Sequence, residues 1–226
     1  MPEASDTSVP TGVPITTDLD ELVDLARSLV EPGNRRILGL TGAPGSGKSR
    51  LAEALTAAVG PQAVFVPLDG FHLADPELRR LGRHPRKGAA DTFDGAGYVH
   101  LLRRLRDRTD DVVYAPSFDR GLEAAIAGSI PVPADVPLVV TEGNYLLLDT
   151  PVWDQVPGLL DTCWFVDPGE TTRLERLVAR HVRYGRSPEE AQARSWGPDQ
   201  DNAELITRTR PRADRIVRLA PDPRLA

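Results

Sequence analysis

Short apolar runs alternate with longer segments in which apolar residues recur every three or four positions. The short runs have the pattern of buried strands in a parallel sheet. They lie at residues 35–41, 63–68, 111–115, 138–141, 163–166 and 215–219. The helical segments lie at residues 19–30, 48–59, 98–108, 170–184 and 201–209, with a further helix starting after Ser187. This alternation predicts an α/β fold with three layers, α/β/α, around a mostly parallel sheet.

The same pattern predicts one domain preceded by a short leader. Residues 1–18 contain no Lys or Arg and no long apolar run, which is typical neither of a secretory signal nor of a membrane anchor. We therefore expect a flexible leader at residues 1–18, a single domain at 19–226, no membrane association and a cytoplasmic location. Residues 129–132 are expected to form a small hairpin with a neighbouring strand. The single cysteine, Cys163, lies in an apolar run and is interpreted as a buried small hydrophobe.

Charge composition narrows the possible partners. The net charge is −6 and the isoelectric point is near 5.3, so the chain lacks the overall basic character of many nucleic-acid-binding domains. Of the 27 basic residues only two are lysines, Lys48 and Lys87. Because arginine serves as the general surface cation here, a position that keeps lysine indicates a need for a compact ammonium group.

Lys48 belongs to a glycine-rich motif that predicts phosphate binding. Residues 42–49 fit the pattern G-x-x-x-x-G-K-[ST] between a predicted strand and a predicted helix, which is the context that the motif requires. The glycines allow backbone N–H groups to surround phosphate oxygens, Lys48 reaches the β- and γ-phosphates, and Ser49 is expected to ligate Mg²⁺. The predicted ATP-binding residues are Gly42, Ala43, Pro44, Gly45, Ser46, Gly47, Lys48, Ser49 and Arg50.

Two other classes of P-loop protein lack support in the sequence. A Ras-like GTPase needs an Asn-Lys-x-Asp signature, and neither lysine of this chain follows asparagine. A motor ATPase usually has a strand that ends in Asp-Glu, whereas the strand at residues 138–141 is followed by Glu142 and Gly143. A kinase of small molecules is therefore favoured.

Four further segments resemble one family. They read LDGFH at residues 68–72, KGAADTFD at 87–94, APSFDR at 115–120 and TEGNYLLL at 141–148. In this order they resemble the phosphoribulokinase/uridine kinase family, and its branch near bacterial pantothenate kinases in particular. The resemblance covers about residues 35 to 220. It implies a P-loop kinase that transfers the γ-phosphoryl group of ATP to a hydroxyl of a small molecule.

Two carboxylates are candidates for the chemistry beside the phosphates. Asp69 and Glu142 each follow a buried strand, and the carboxyl ends of parallel strands are where α/β sheets bind ligands. The resemblance implies that Asp69 is the catalytic base, while Glu142 is a candidate for holding magnesium or substrate. An ordinary Asp-Gly turn and a loop-stabilising carboxylate are the structural alternatives. The predicted substrate-binding residues are Asp69, His72, Lys87, Arg120 and Glu142, and the predicted metal-binding residues are Ser49 and Glu142.

Two clusters of cations have alternative interpretations. Residues 79–87 carry four arginines, Lys87 and His84, which could meet an anionic substrate or could form a solvated loop. Arginines at 173, 176, 180 and 183 form one stripe of a helix. The resemblance implies a lid at about residues 173–200, and we expect Arg180 and Arg183 to be catalytic and the first two arginines to be structural.

The sequence thus predicts a kinase that uses ATP and Mg²⁺, with Asp69, Lys48, Arg180 and Arg183 as catalytic residues. Nucleoside, sugar, sugar phosphate and pantothenate-like acceptors all stay open, and the sequence implies nothing about the oligomeric state. The alternative is a regulatory P-loop ATPase that has no small-molecule acceptor.

Overall fold

The structure, a computed structural model, describes residues 12–219 and 222–225. Its main sheet has six parallel strands in the order β1-β8-β7-β2-β6-β3, and β4 and β5 form a separate antiparallel hairpin. The strands are β1 (Ile15–Thr16), β2 (Arg36–Thr41), β3 (Ala63–Pro67), β4 (Val112–Asp119), β5 (Ala124–Pro133), β6 (Leu138–Glu142), β7 (Thr162–Val166) and β8 (Arg215–Val217). The helices are α1 (Leu19–Ser28), α2 (Lys48–Val59), α3 (Asp75–Arg80), α4 (Gly95–Asp107), α5 (Glu170–Arg183), α6 (Pro188–Trp196) and α7 (Pro198–Thr207).

Apolar residues cover both faces of the main sheet. Successive residues of β2 alternate between two cores, with Ile37 in one and Leu38 in the other. The first core includes α4 and a group of aromatic rings around Tyr98 and Trp153. The second includes the buried faces of α1 and α2. The predicted three-layer α/β/α arrangement is therefore confirmed.

The strand order places three loops beside one another at the carboxyl edge of the sheet. β2 lies between β6 and β7, and β6 pairs with β3 in a register that sets Glu142 beside both Leu40 and Pro67. The loop after β2, the end of β6 and the turn after β3 consequently converge. This is the edge at which parallel α/β sheets bind ligands.

Local structure differs from the sequence prediction at three places. Residues 15–18 are not a loose leader, because Ile15 and Thr16 pair with β8 and Asp18 caps α1 by accepting from the backbone N–H of Asp20 at 2.7 Å. Residues 1–11 of the predicted leader lie outside the described residues. The predicted small hairpin is a long one that includes the APSFDR segment, and helix α3 lies between β3 and α4, where no helix was predicted. No helix in the described part of the chain has the length and apolar character needed to cross a membrane.

Candidate active site

The loop between β2 and α2 can be formed only with glycine at its turning points. Gly42 and Gly45 have φ angles of 148° and 84°, a region that other residues rarely adopt. A Cβ atom would also lie 2.5 Å from the carbonyl oxygen of Val166 at Gly42, and 2.6 Å from that of Arg173 at Gly45. The sequence motif thus produces a tight loop that packs against both β7 and the lid helix α5.

The polar groups of this loop fit an anionic ligand. Helix α2 begins after Gly47 without a side-chain cap, so its first backbone N–H groups point toward the loop with their partial positive charge. Ser46 Oγ is buried and has no hydrogen-bond partner among the described residues. Lys48 is buried, and among the described residues its ammonium donates only to the carbonyl oxygen of Ala43, at 3.2 Å. Phosphate oxygens would satisfy all of these donors.

Glu142 extends the site from the end of β6. Its Oε1 accepts a hydrogen bond from Ser49 Oγ at 3.1 Å. Burial, reinforced by the negative charge of Asp69, raises the pKa of Glu142 to about 7, although Lys48 acts in the opposite direction. Burial lowers the pKa of Lys48 to about 8 against the attraction of the two carboxylates. The three groups therefore form one electrostatically coupled cluster.

Asp69 is held in a 3₁₀ turn, Leu68–Phe71, directly after β3. Gly70 lets this turn approach strand β4, since a Cβ there would lie 2.5 Å from the carbonyl oxygen of Pro116. Arg120, at the tip of the same hairpin, donates to Asp69 Oδ2 at 3.1 Å. His72 Nδ1 donates to the backbone carbonyl of Asp69 at 2.9 Å. The carboxylate is thus oriented by the hairpin and stays one-third exposed.

One cleft of about 740 Å³ joins the phosphate loop to these acceptor-side residues. Lys48, Asp69 and Arg180 all line it, so the structure brings the P-loop, the candidate base and the lid together. Nine residues predicted from the sequence line this cleft, namely Pro44, Lys48, Ser49, Asp69, His72, Lys87, Arg120, Glu142 and Arg180.

A second cavity, of about 640 Å³, lies on the other side of the phosphate loop. Ala43 and Ser46 contribute to its wall, and the rest comes mainly from the segment after β7 and from helix α7. The loop therefore separates two chambers, as is required if a nucleotide lies along it with its base in one chamber and its terminal phosphate in the other.

Comparison with known proteins identifies the family. No protein-family model matches the chain. A protein of Schizosaccharomyces pombe named "putative uridine kinase" is 33% identical over 189 residues, which cover 80% of each chain. The Escherichia coli protein YggC is 30% identical and covers 88% of this chain and 84% of its own length. The chain belongs to the phosphoribulokinase/uridine kinase family.

Solved structures agree with this assignment. The crystal structure named "putative fructose transport system kinase" from Silicibacter sp. TM1040 has a TM-score of 0.81 and 36% identity, and it covers 89% of this chain and 99% of that chain. A possible uridine kinase from Bacillus stearothermophilus, 18% identical with a TM-score of 0.57 over 88% of this chain and 98% of that chain, shares the fold. The protein is therefore a P-loop, ATP-dependent kinase, and it is a phosphotransferase that acts on an alcohol group.

The side chains of two residues that were predicted to act in this kinase do not reach the cleft. Arg183 is exposed and does not line it. The cleft is lined by Arg180 and His181 of α5 and by Tyr184, the C-cap of this helix, and at about 100° per residue Arg183 lies roughly 100° away from the centre of that face. Arg50 points away as well, because its guanidinium donates to the carbonyl oxygen of Leu225 at 2.6 Å. Only the backbone N–H of Arg50 is placed near the phosphate loop.

Arg173 and Arg176, the first two arginines of the stripe on the predicted lid, contact the kinase's phosphate loop. Arg173 is buried and donates to the carbonyl oxygen of Pro44 at 3.4 Å. Arg176 donates to the carbonyl oxygen of Ser46, also at 3.4 Å. Arg180, in contrast, has no hydrogen bond or ion pair with any residue in the described part of the chain, and burial lowers its pKa.

Sequence reasoning missed a set of hydrogen bonds that connects the predicted lid to the acceptor side of the cleft. Arg194, on α6, donates to the carbonyl oxygens of Pro85 at 3.1 Å and Lys87 at 2.9 Å. Asp199 lies 3.9 Å from the Arg194 guanidinium and 2.7 Å from His181 Nε2. The only signal available in the sequence was the position of Arg194 within the predicted lid, since an arginine that binds backbone carbonyls leaves no sequence motif.

Proposed function

We propose that this kinase transfers the γ-phosphoryl group of ATP to a hydroxyl of a small metabolite of the nucleoside, sugar or pantothenate-like type. The observation that carries the proposal is the position of Asp69. Its carboxylate lines the same cleft as Lys48 and lies close enough to influence the pKa of that lysine. A regulatory ATPase has no need of such a carboxylate opposite its phosphate loop.

The phosphate loop and the two chambers support the binding mode. The uncapped start of α2, Ser46 Oγ and Lys48 bind the triphosphate, and the chamber between β7 and α7 accepts the base. Ser49 and Glu142 would hold Mg²⁺, which neutralises phosphate charge in such sites and is commonly bound through few protein groups. The described residues contain no separate cluster of three or more His, Cys, Asp or Glu suited to a metal ion.

The chemical step follows from the groups around the acceptor chamber. Asp69 accepts the proton of the acceptor hydroxyl while the hydroxyl oxygen forms a bond to the γ-phosphorus and the bond to the ADP oxygen breaks. Arg120 holds Asp69 in position through its hydrogen bond. Lys48 and Arg180 stabilise the charge on the transferring group, and Arg180 is available for this because it has no ion-pair partner among the described residues.

The names of relatives agree with a metabolite acceptor but differ among themselves. One relative is named a uridine kinase, another a pantothenate kinase, and the similar crystal structure a fructose transport system kinase. A cytoplasmic location goes with the proposal, because the reaction consumes ATP.

The proposal is tested by ADP release from Mg-ATP across a panel of nucleosides, sugars, sugar phosphates and pantothenate-like alcohols. We expect at least one acceptor to stimulate ADP release and to yield a phosphorylated product. Asp69→Asn should lower transfer by about 10²- to 10⁴-fold, the usual contribution of a general base, while ATP binding stays normal.

Asp91→Asn is the matched control, because it makes the same chemical change at a nearby aspartate that pairs with Arg83 and Arg86 at the surface. Transfer that survives in Asp69→Asn would refute the assignment of the base. Bound ATP with no stimulation by any acceptor would favour a regulatory ATPase instead.

A further inference from the structure

The arginine-rich loop beside the acceptor chamber does not present free positive charge. Each of its cations lies within ion-pair distance of a carboxylate on its own side of the cleft. The pairs are Arg79–Asp75, Arg80–Glu77, Arg83–Asp91, His84–Asp75, Arg86–Asp91 and Lys87–Asp75. An anionic acceptor would have to compete with these carboxylates for every one of these cations.

Lys87 shows this most clearly, because it reaches into the cleft. Its ammonium donates to Asp75 Oδ1 at 2.8 Å and to the backbone carbonyl of Glu123 at 3.1 Å. The Glu123 carboxylate lies 3.6 Å away, and the ring of Phe118 lies 5.4 Å from the ammonium. Two carboxylates therefore surround this ammonium, so its charge is already neutralised and is not free for an anionic ligand.

His72 adds an acceptor of hydrogen bonds to the same chamber. Its ring lies between those of Phe93 and Phe118, with centroid distances of 4.0 and 5.0 Å. Burial lowers its pKa, so the ring is neutral near pH 7. Nδ1 donates to the carbonyl of Asp69, and Nε2 is then a lone-pair acceptor that has no hydrogen-bond partner among the described residues. A hydroxyl can donate to such a nitrogen, whereas a carboxylate or a phosphate dianion cannot.

At the phosphate end of the cleft, in contrast, the cations lack carboxylate partners among the described residues. Lys48 binds only a backbone carbonyl, and Arg180 has neither a hydrogen bond nor an ion pair in the part of the chain that is described. The Arg186 guanidinium also lines the cleft and has no hydrogen-bond or ion-pair partner among the described residues, but it is exposed to solvent beyond the end of α5. The buried Lys48 and the half-buried Arg180, both without a carboxylate partner, thus lie where the ATP phosphates are proposed to bind, and the paired cations lie where the acceptor is proposed to bind.

We propose that the acceptor is an uncharged polyhydroxyl compound, such as a free sugar or nucleoside, and that phosphorylated or carboxylate-bearing alcohols are discriminated against. The inference rests on the proposed kinase function and narrows its substrate class. Asp75 and Glu123 repel an anionic group, the rings of Phe93 and Phe118 contact the apolar face of the compound, and His72 Nε2 accepts from one of its hydroxyls.

Matched pairs of compounds test this with the full-length protein and Mg-ATP. The pairs are pantothenol and pantothenate, fructose and its 1- and 6-phosphates, and uridine and its 3′- and 5′-monophosphates. Two phosphate positions are used so that a blocked hydroxyl is not mistaken for charge discrimination. We expect every pair that is turned over to favour the neutral member by about tenfold or more in kcat/KM, corresponding to about 1.4 kcal/mol.

The variant Glu123→Gln tests whether charge is the cause. Removing this carboxylate should raise the anionic-to-neutral ratio of kcat/KM by about threefold or more, whereas Glu53→Gln, an exposed carboxylate on α2, should leave the ratio unchanged. A preference for the anionic members would overturn the inference while leaving the kinase function intact. A neutral preference that Glu123→Gln does not alter would overturn the electrostatic explanation. If ATP binds but no compound is turned over, the proposed function fails and this inference fails with it.

Discussion

The cations at the two ends of the cleft differ in whether they pair with a carboxylate. At the phosphate end, Lys48 is buried and Arg180 is half-buried, and neither has a carboxylate within ion-pair distance among the described residues. At the acceptor end, Lys87 and Arg120 each bind a carboxylate at 2.8 and 3.1 Å. A buried cation without a partner costs desolvation free energy, and a protein retains it where a ligand supplies the missing charge. The difference therefore indicates which end receives phosphate and which receives a less charged group.

The largest expected effect comes from comparing two arginines on the same helix. Arg180→Ala should lower kcat/KM by about 10²- to 10³-fold, because it removes a donor aimed at the charge that develops during transfer. Arg183→Ala should change it by less than about twofold, because that side chain is exposed and lies off the cleft. Steady-state kinetics with a saturating acceptor measures both variants.

The same two variants test the sequence-based prediction for these arginines against the positions of their side chains in the structure. The lid implied by the family resemblance led to the prediction that both arginines act. Equal losses in the two variants would show that α5 rotates or shifts when the nucleotide binds. A large loss in Arg183→Ala alone would contradict the placement of the helix face.

The fold and the phosphate end were readable from the sequence because both depend on local pattern. Apolar alternation determined the strands, and the spacing of Gly42, Gly47 and Lys48 determined the loop. The acceptor end depends on pairings between distant segments, such as Lys87 with Asp75 and Glu123, which no periodicity encodes. The same holds for β1, whose two residues pair with β8, the last strand in the sequence.

The coupled pair Glu142 and Lys48 predicts a pH dependence of intermediate size. Glu142 must be ionised to accept from Ser49 and to hold a cation, so activity should fall as the pH drops below the raised pKa of about 7. Lys48 must be protonated to bind phosphate, so ATP affinity should fall as the pH rises above its lowered pKa of about 8. The kcat/KM for ATP should therefore be bell-shaped, with a change of about tenfold per pH unit on each limb.

A pH profile of kcat/KM for ATP measures this, and the two limbs belong to the coupled pair rather than to single residues. In Glu142→Gln the acid limb should disappear, and the alkaline limb should move to lower pH because the pKa of Lys48 loses the attraction of this carboxylate. Activity that is flat from pH 6 to 9 in the unmodified protein would show that the two groups do not titrate in the free enzyme as their burial requires.

The smallest expected effect concerns the connection between the lid and the acceptor end. Arg194 donates to the carbonyls of Pro85 and Lys87 and so fixes the loop that carries Lys87 against α6. Arg194→Met removes both hydrogen bonds, which at about 1 kcal/mol of net effect corresponds to about a fivefold rise in KM for the acceptor. The KM for ATP and the rate of ATP hydrolysis without acceptor should not change.

The control is Arg104→Met, which removes an exposed arginine of α4 that pairs with Asp110. A fall in kcat with an unchanged acceptor KM would mean that Arg194 supports the lid in general rather than the acceptor loop, because loss of lid closure slows transfer for every acceptor equally.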